Sequence, residues 1–157
     1  MLAGMDADRL IAWDAELRRA HTRLRAALEA TREAVESGQE APDAASDLAL
    51  FCIGFCTALD GHHRSEDRTL FPALRAEHPE LGDMIDKLMQ DHSMLTHLLS
   101  GLRHAVEGGE SADTVGRHLD GVGAIMESHF RFEEREILQP LRALALDADV
   151  HEVLGPL

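Results

Sequence analysis

Four histidines stand where the hydrophobic stripe of an amphipathic helix calls for an apolar residue, and this limits what the chain can fold into more than any other feature. The stripes read Leu17, His21, Leu24 and Leu28; Cys52, Phe55, Leu59, His62 and Glu66; Ile85, Leu88, His92, Leu95 and Leu99; and Val122, Met126, His129 and Glu133. Successive members are all three or four residues apart, so each polar side chain faces the same way as its apolar neighbours. His62 and His129 are each followed four residues later by a glutamate, which a helix places on the same face one turn further on. An unpaired buried carboxylate costs several kcal/mol, and a lone buried imidazole needs a partner. A bound cation satisfies both.

The punctuation of the chain separates these stripes into four helices. The first is expected over about 6–37, ending at Gly38, with a linker at 39–42. The second runs over about 43–71, where Pro72 kinks it or ends its regular hydrogen bonding. A connection through His78, Pro79 and Gly82 leads to a third helix over about 83–106, which stops at Gly108 and Gly109. The fourth spans about 111–138, with Pro140 marking its limit. No alternating β-branched run and no Asn-Gly turn signals a strand. Short connections make neighbouring helices antiparallel, so the expected fold is all-α, an up-down-up-down four-helix bundle with a metal site in its core. The length suits one domain spanning 1–157, with the metal-bearing part at about 6–140 and a short tail at 144–157.

Composition removes several functions. A net charge of −14, with 15 basic residues scattered among 29 acidic ones, argues against nucleic acid or an anionic membrane surface as partner. No stretch reaches the roughly 18 apolar residues of a membrane span, and the opening residues carry acids where a secretory signal needs an apolar core. Cys52 and Cys56 make no disulfide framework and read as small buried hydrophobes, with a redox or supporting role near the metal as the alternative. A cytoplasmic protein is expected.

The four histidines also match in level. Counted from the middle of each connection, neighbouring histidines differ by three or four residues, about 4 to 6 Å along the axis at 1.5 Å per residue. All four can share one layer. The second and fourth helices resemble each other as well: His62 to Glu66 with Pro72 beyond it, and His129 to Glu133 with Pro140 beyond it. This two-fold pseudo-repeat points to a two-metal site, whose imidazole and carboxylate donors suit iron, manganese or zinc rather than copper(I). The ferritin-like pattern of Glu-x-x-His is missing, and with no tyrosine in the chain a tyrosyl radical is excluded.

The order His21, then His62-x-x-x-Glu66 followed by Leu70-Phe71-Pro72, then Asp91-His92, then His129-x-x-x-Glu133-Glu134 resembles the hemerythrin-like, HHE cation-binding family over about 21–140. The resemblance implies a non-haem, carboxylate-bridged centre of two iron ions that handles dioxygen, nitric oxide or peroxide. By position it implies His21, His62, His92 and His129 as terminal ligands and Glu66 and Glu133 as bridges. Oxygen-carrying members have a further histidine four residues after the third-helix histidine; here Thr96 stands there. His97 falls about 140° further round the helix than His92 and belongs with His104 on the outer face. His63 is the better seventh ligand, since some members carry one directly after the second-helix histidine, with a supporting or exposed histidine as the alternative. Because Pro140 lies one residue later than Pro72 does relative to its glutamate, Glu134 competes with Glu133 for the bridge. Glu133 continues the apolar stripe and is preferred.

The remaining histidines, His78, His118 and His151, read as surface or capping residues, Trp13 as a core anchor, and the acids beyond Glu133 up to Glu136 as a solvated face. Two functions compete: a module that binds or senses dioxygen, nitric oxide or peroxide, and an enzyme that breaks down peroxide or oxidises a small molecule with oxygen. An iron store or structural site is a third reading, disfavoured because six or seven protein ligands leave open positions on the metals.

Overall fold

A computed structural model of the chain describes residues 11–37 and 44–156. Among these the chain is all-helical: α1 (Trp13–Ser37), α2 (Ala44–Ser65), a π-helical turn (Glu66–Leu70), α3 (Phe71–Glu77), a 3-10 turn (Pro79–Leu81), α4 (Gly82–Glu107), α5 (Ala112–Arg142) and α6 (Val150–Leu154). The first helix starts at Trp13 rather than near residue 6, for Ile11 and Ala12 precede it in irregular backbone. Residues 6–10, the expected linker 39–42 and the expected start at residue 43 lie outside the described residues.

Local chemistry explains the other boundaries. Ser111 caps α5 with its hydroxyl accepting from the Thr114 amide at 3.3 Å. α4 closes in a Schellman motif: Glu110 N–H donates to Ala105 O at 3.1 Å and Gly109 N–H to Val106 O at 3.2 Å. Gly109 takes φ 65°, a conformation that costs glycine nothing. Pro72 has no N–H to give and would crowd the carbonyl four residues back. Just before it the helix widens by one residue, with Phe71 N–H reaching Glu66 O, while Ser65, Leu70 and Phe71 all keep right-handed helical dihedrals. α2 and α3 are therefore one continuous rod with a π turn that begins at Glu66. Pro140 does not end α5, which continues to Arg142. Ile137 and Leu141 are buried on either side of it, and the carbonyl it leaves free belongs to exposed Glu136.

α1 packs against α2 and α5, and α4 packs against α5 and α2. Two apolar clusters result. One gathers Leu24, Leu28, Leu59, Leu95, Leu102 and Met126; the other gathers Trp13, Leu17, Leu70, Phe71, Leu88 and Ile137. The helices traverse the clusters in alternating order, α1 and α4 from the second to the first, α2 and α5 from the first to the second. α1, the rod of α2 and α3, α4 and α5 each cross from one to the other near a buried histidine. The segment after α5 folds back on the second cluster, burying Leu144, Val153 and Leu154, with the Trp13 indole N–H donating to Leu146 O at 3.0 Å. Trp13 is thus the core anchor its position implied. No helix among the described residues is long and apolar enough to cross a membrane.

Candidate metal centre

Between the two apolar clusters lies a layer of His21, His62, His63, Glu66, His92, His129 and Glu133, none more than 3% exposed. The structure brings together all seven residues singled out from the sequence. Glu66 Oε1 stands 3.0 Å from His62 Nε2 and 3.7 Å from His92 Nε2. Glu133 mirrors it, with Oε1 3.8 Å from His21 Nε2 and Oε2 3.0 Å from His129 Nε2. Each carboxylate therefore stands between a histidine of one group, His21 and His62, and a histidine of another, His63, His92 and His129. In the second group the His63 and His92 rings stack with centroids 3.9 Å apart, and the Nε2 atoms of His92 and His129 approach to 3.1 Å. Donor atoms within 4.8 Å of one another form the sets His21, His62, Glu133; His63, His92, His129; His62, His63, Glu66; and Glu66, His92, Glu133.

The outward nitrogens explain why the inward ones are free. His21 Nδ1 donates to the Glu134 carboxylate at 2.9 Å, His92 Nδ1 to Asp67 at 2.7 Å and His129 Nδ1 to Asp91 at 3.1 Å. His62 Nδ1 lies 2.7 Å from the Leu154 carbonyl oxygen, which can only accept, so that proton sits on Nδ1. With Nδ1 protonated and the ring neutral, the Nε2 lone pair points inward, available to a metal ion. Glu134 is also held by Arg25, at 3.0 and 3.3 Å, and Arg25 reaches Glu127 at 2.9 Å. Phe130 stacks on His21 at 3.8 Å between centroids and excludes solvent from that side.

Electrostatics points the same way. Burial pushes the Glu66 carboxyl up to about 7 and raises Glu133, where the facing Glu66 adds to the effect. Burial lowers His62 to about 4, and lowers His63 and, against the pull of Glu134, His21. His129 is the exception: burial opposes its protonation too, but the close Glu133 carboxylate outweighs it and raises His129 to about 9, so a cation would take the place of that proton. Glu134 is held down at about 2, mainly by its hydrogen bond from His21. The Nε2 atoms of His21, His62 and His63 and both oxygens of Glu66 and of Glu133 have no hydrogen-bond partner. A fold that buries two carboxylates and leaves their oxygens unpartnered carries a penalty of several kcal/mol, which a cation removes. Borderline nitrogen and hard oxygen donors fit iron, manganese or zinc. Cys52 and Cys56 are outside the layer, in the first apolar cluster, their thiols pushed up to about 11 by burial.

His63 is buried within the layer, and Glu133, not Glu134, faces the other donors. Glu134 is nonetheless a correction: with a side chain 23% exposed and bonded to His21, it does not belong to a solvated face. His97, His104, His118 and His151 are exposed, and His78, half-buried, pairs with Glu80. Sequence reasoning passed over Asp67, Asp91 and the Leu154 carbonyl. The signal for the acids was present. Asp67 follows Glu66, Asp91 precedes His92 and Glu134 follows Glu133, and each serves the histidine of the next helix round: His92 on α4, His129 on α5, His21 on α1. A groove of about 740 Å³ between α4 and α5, walled by Lys87, Met94 and Phe132, reaches the layer at His129 and Asp91.

The chain matches the Hemerythrin HHE cation binding domain over residues 14–141, from the first turn of α1 to the last of α5. It belongs to that family. Searches of curated proteins and of solved structures return no significant match.

Proposed function

We propose that this chain is a non-haem di-iron protein of the hemerythrin type, one domain built as an up-down-up-down four-helix bundle, that binds or senses dioxygen, nitric oxide or peroxide. One observation carries the reading: Glu66 and Glu133 each stand between a histidine of one group and a histidine of the other, the position of a bridging carboxylate. His21 and His62 would hold one ion and His63, His92 and His129 the other. Two such ions supply reversible binding or reduction of a small oxygen or nitrogen species. Seven protein donors, even with both carboxylates bridging, do not fill two six-coordinate shells, which leaves room for that ligand. The protein contributes fixed lone pairs, oriented from outside by Glu134, Asp67, Asp91 and Leu154, in a layer closed to bulk water by the apolar clusters. The acidic surface, with a net charge of −14, and the free, buried thiols support a cytoplasmic protein whose partner is a small molecule.

An enzymatic reading, peroxide breakdown or oxygen-dependent oxidation, is favoured by the groove at His129, which is larger than a diatomic ligand needs. Elemental analysis of protein made with iron supplied tests the shared premise, with about two irons per chain expected. A content near zero, or a site that takes only zinc, refutes it. Exposure of the iron form to oxygen, nitric oxide and peroxide then separates the readings: a long-lived adduct with slow turnover marks the binder, and rapid multiple turnover the enzyme.

A further inference from the structure

Three of the layer's histidines are oriented by an acid that lies beside a donor residue on the preceding helix of the ring. α1 breaks the pattern, because His21 is flanked by Ala20 and Thr22 and offers α2 no acid. The missing partner of His62 comes instead from the segment after α5, through the Leu154 carbonyl at 2.7 Å. That segment lies beyond residues 14–141, which match the family.

Gly155 makes the contact possible. It turns the chain at φ 91° and ψ 160°, a region essentially reserved for glycine. A Cβ there would meet the backbone of α2, His62 Cα and N at 3.1 Å and Gly61 C at 3.3 Å, atoms that cannot swing aside. The segment therefore rests directly on the backbone of His62 while its carbonyl reaches round to the ring. Its approach is secured at two points. Asp149 caps α6, accepting from the His151 and Glu152 amides at 2.8 and 3.4 Å, and Trp13 holds Leu146.

We propose that the segment 144–156 is a positioning element for His62: Leu154 holds the ring with its proton on Nδ1, Gly155 permits the approach, and the Nε2 lone pair is thereby kept aimed at the layer. Its consequence for metal rests on the reading of His62 as a ligand; its consequence for the ring does not.

The test uses the full chain, first without metal, with nitrogen-15 NMR of the histidine rings at neutral pH. In the wild type the Nδ1 proton of His62 is protected from exchange, as are those of His21, His92 and His129. Gly155→Ala removes that protection at His62 and leaves the other three unchanged, a selectivity that general loss of stability does not produce. Should Gly155→Ala fail to fold, Asp149→Ala decides, since it loosens α6 without adding an atom near His62, and it gives the same selective change to a smaller degree. Retention of the His62 proton in the variants, or loss at all four rings together, overturns the proposal. Iron titration of the same variants is expected to show affinity about 10 to 100 times lower. If the His62 proton is lost and iron affinity is unchanged, the assignment of His62 as a ligand falls and the contact itself stands.

Discussion

Replacing Glu66 with glutamine should make the metal-free protein more stable and the iron-loaded protein less so. The Glu66 carboxyl is fully enclosed between His62, His92 and Glu133, and burial raises it from 4.5 to about 7. A group whose pKa rises on folding stabilises the fold fully below its unfolded value, and that contribution is lost as pH climbs through the folded value. Glu66 alone should therefore cost the metal-free wild type about 3 kcal/mol between roughly pH 4.5 and pH 8, at 1.36 kcal/mol for each pH unit; the lowered His21, His62 and His63 act in the opposite direction, so this cost is read as the difference from a variant at Glu66. Glu66→Gln keeps the shape but has no charge to bury, so most of this loss disappears. Urea unfolding in the presence of a chelator measures it. With a slope of about 2 kcal/mol/M, the variant's midpoint should lie about 1 to 2 M above wild type at pH 8 and close to it at pH 4.5. Saturating iron should reverse the order, because the wild type gains binding energy that the variant, lacking one carboxylate, cannot. A variant no more stable than metal-free wild type at pH 8, or a difference between the two that does not grow from pH 4.5 to pH 8, would show that Glu66 is not a carboxylate kept poised for a cation.

Glu134→Gln should weaken iron binding about 10 to 100-fold without emptying the site at high iron, since it loosens His21 but removes no donor from the layer; Glu133→Ala should lose metal outright, and a Glu134 variant that empties while the Glu133 variant stays loaded would reverse their roles. His63→Ala should retain both metals while its rate with peroxide rises or changes, because a vacated position admits a ligand that otherwise must displace one; unchanged metal content, spectrum and rate would make His63 a packing residue only.

How much of this was legible beforehand depends on the range of the interaction concerned. The layer could be read from the chain because helical periodicity is a local property: His62 and Glu66 share a face whatever surrounds them, and residue counts to the connections that agree to within a turn put His21, His62, His92 and His129 near one level. The turn at Pro72 was half legible. A proline announces a lost hydrogen bond, yet whether the chain kinks, stops or widens depends on what the neighbouring helices will bury, and here Leu70, at the end of the π turn, and Phe71 and Leu74 beyond it all become buried. Pro140 gave the same warning, and α5 ran past it because Ile137 and Leu141 were held in the core.

By itself, then, the sequence determined the four helices, the shared level of the histidines, the carboxylate each of two helices adds, and the family. The tertiary structure decided the rest: that His63 turns inward, that Glu134 braces His21 rather than meeting solvent, that Asp67 and Asp91 reach across to their neighbours' histidines, and that Leu154 and Gly155 close on His62. The physical reason is one of rotation and distance. Which residue sits inside its own helix follows from a period of 3.6, whereas which side chain meets the far nitrogen of a histidine depends on how one helix is turned against the next. For His62 and Leu154 that meeting spans 92 residues, and no local pattern records it.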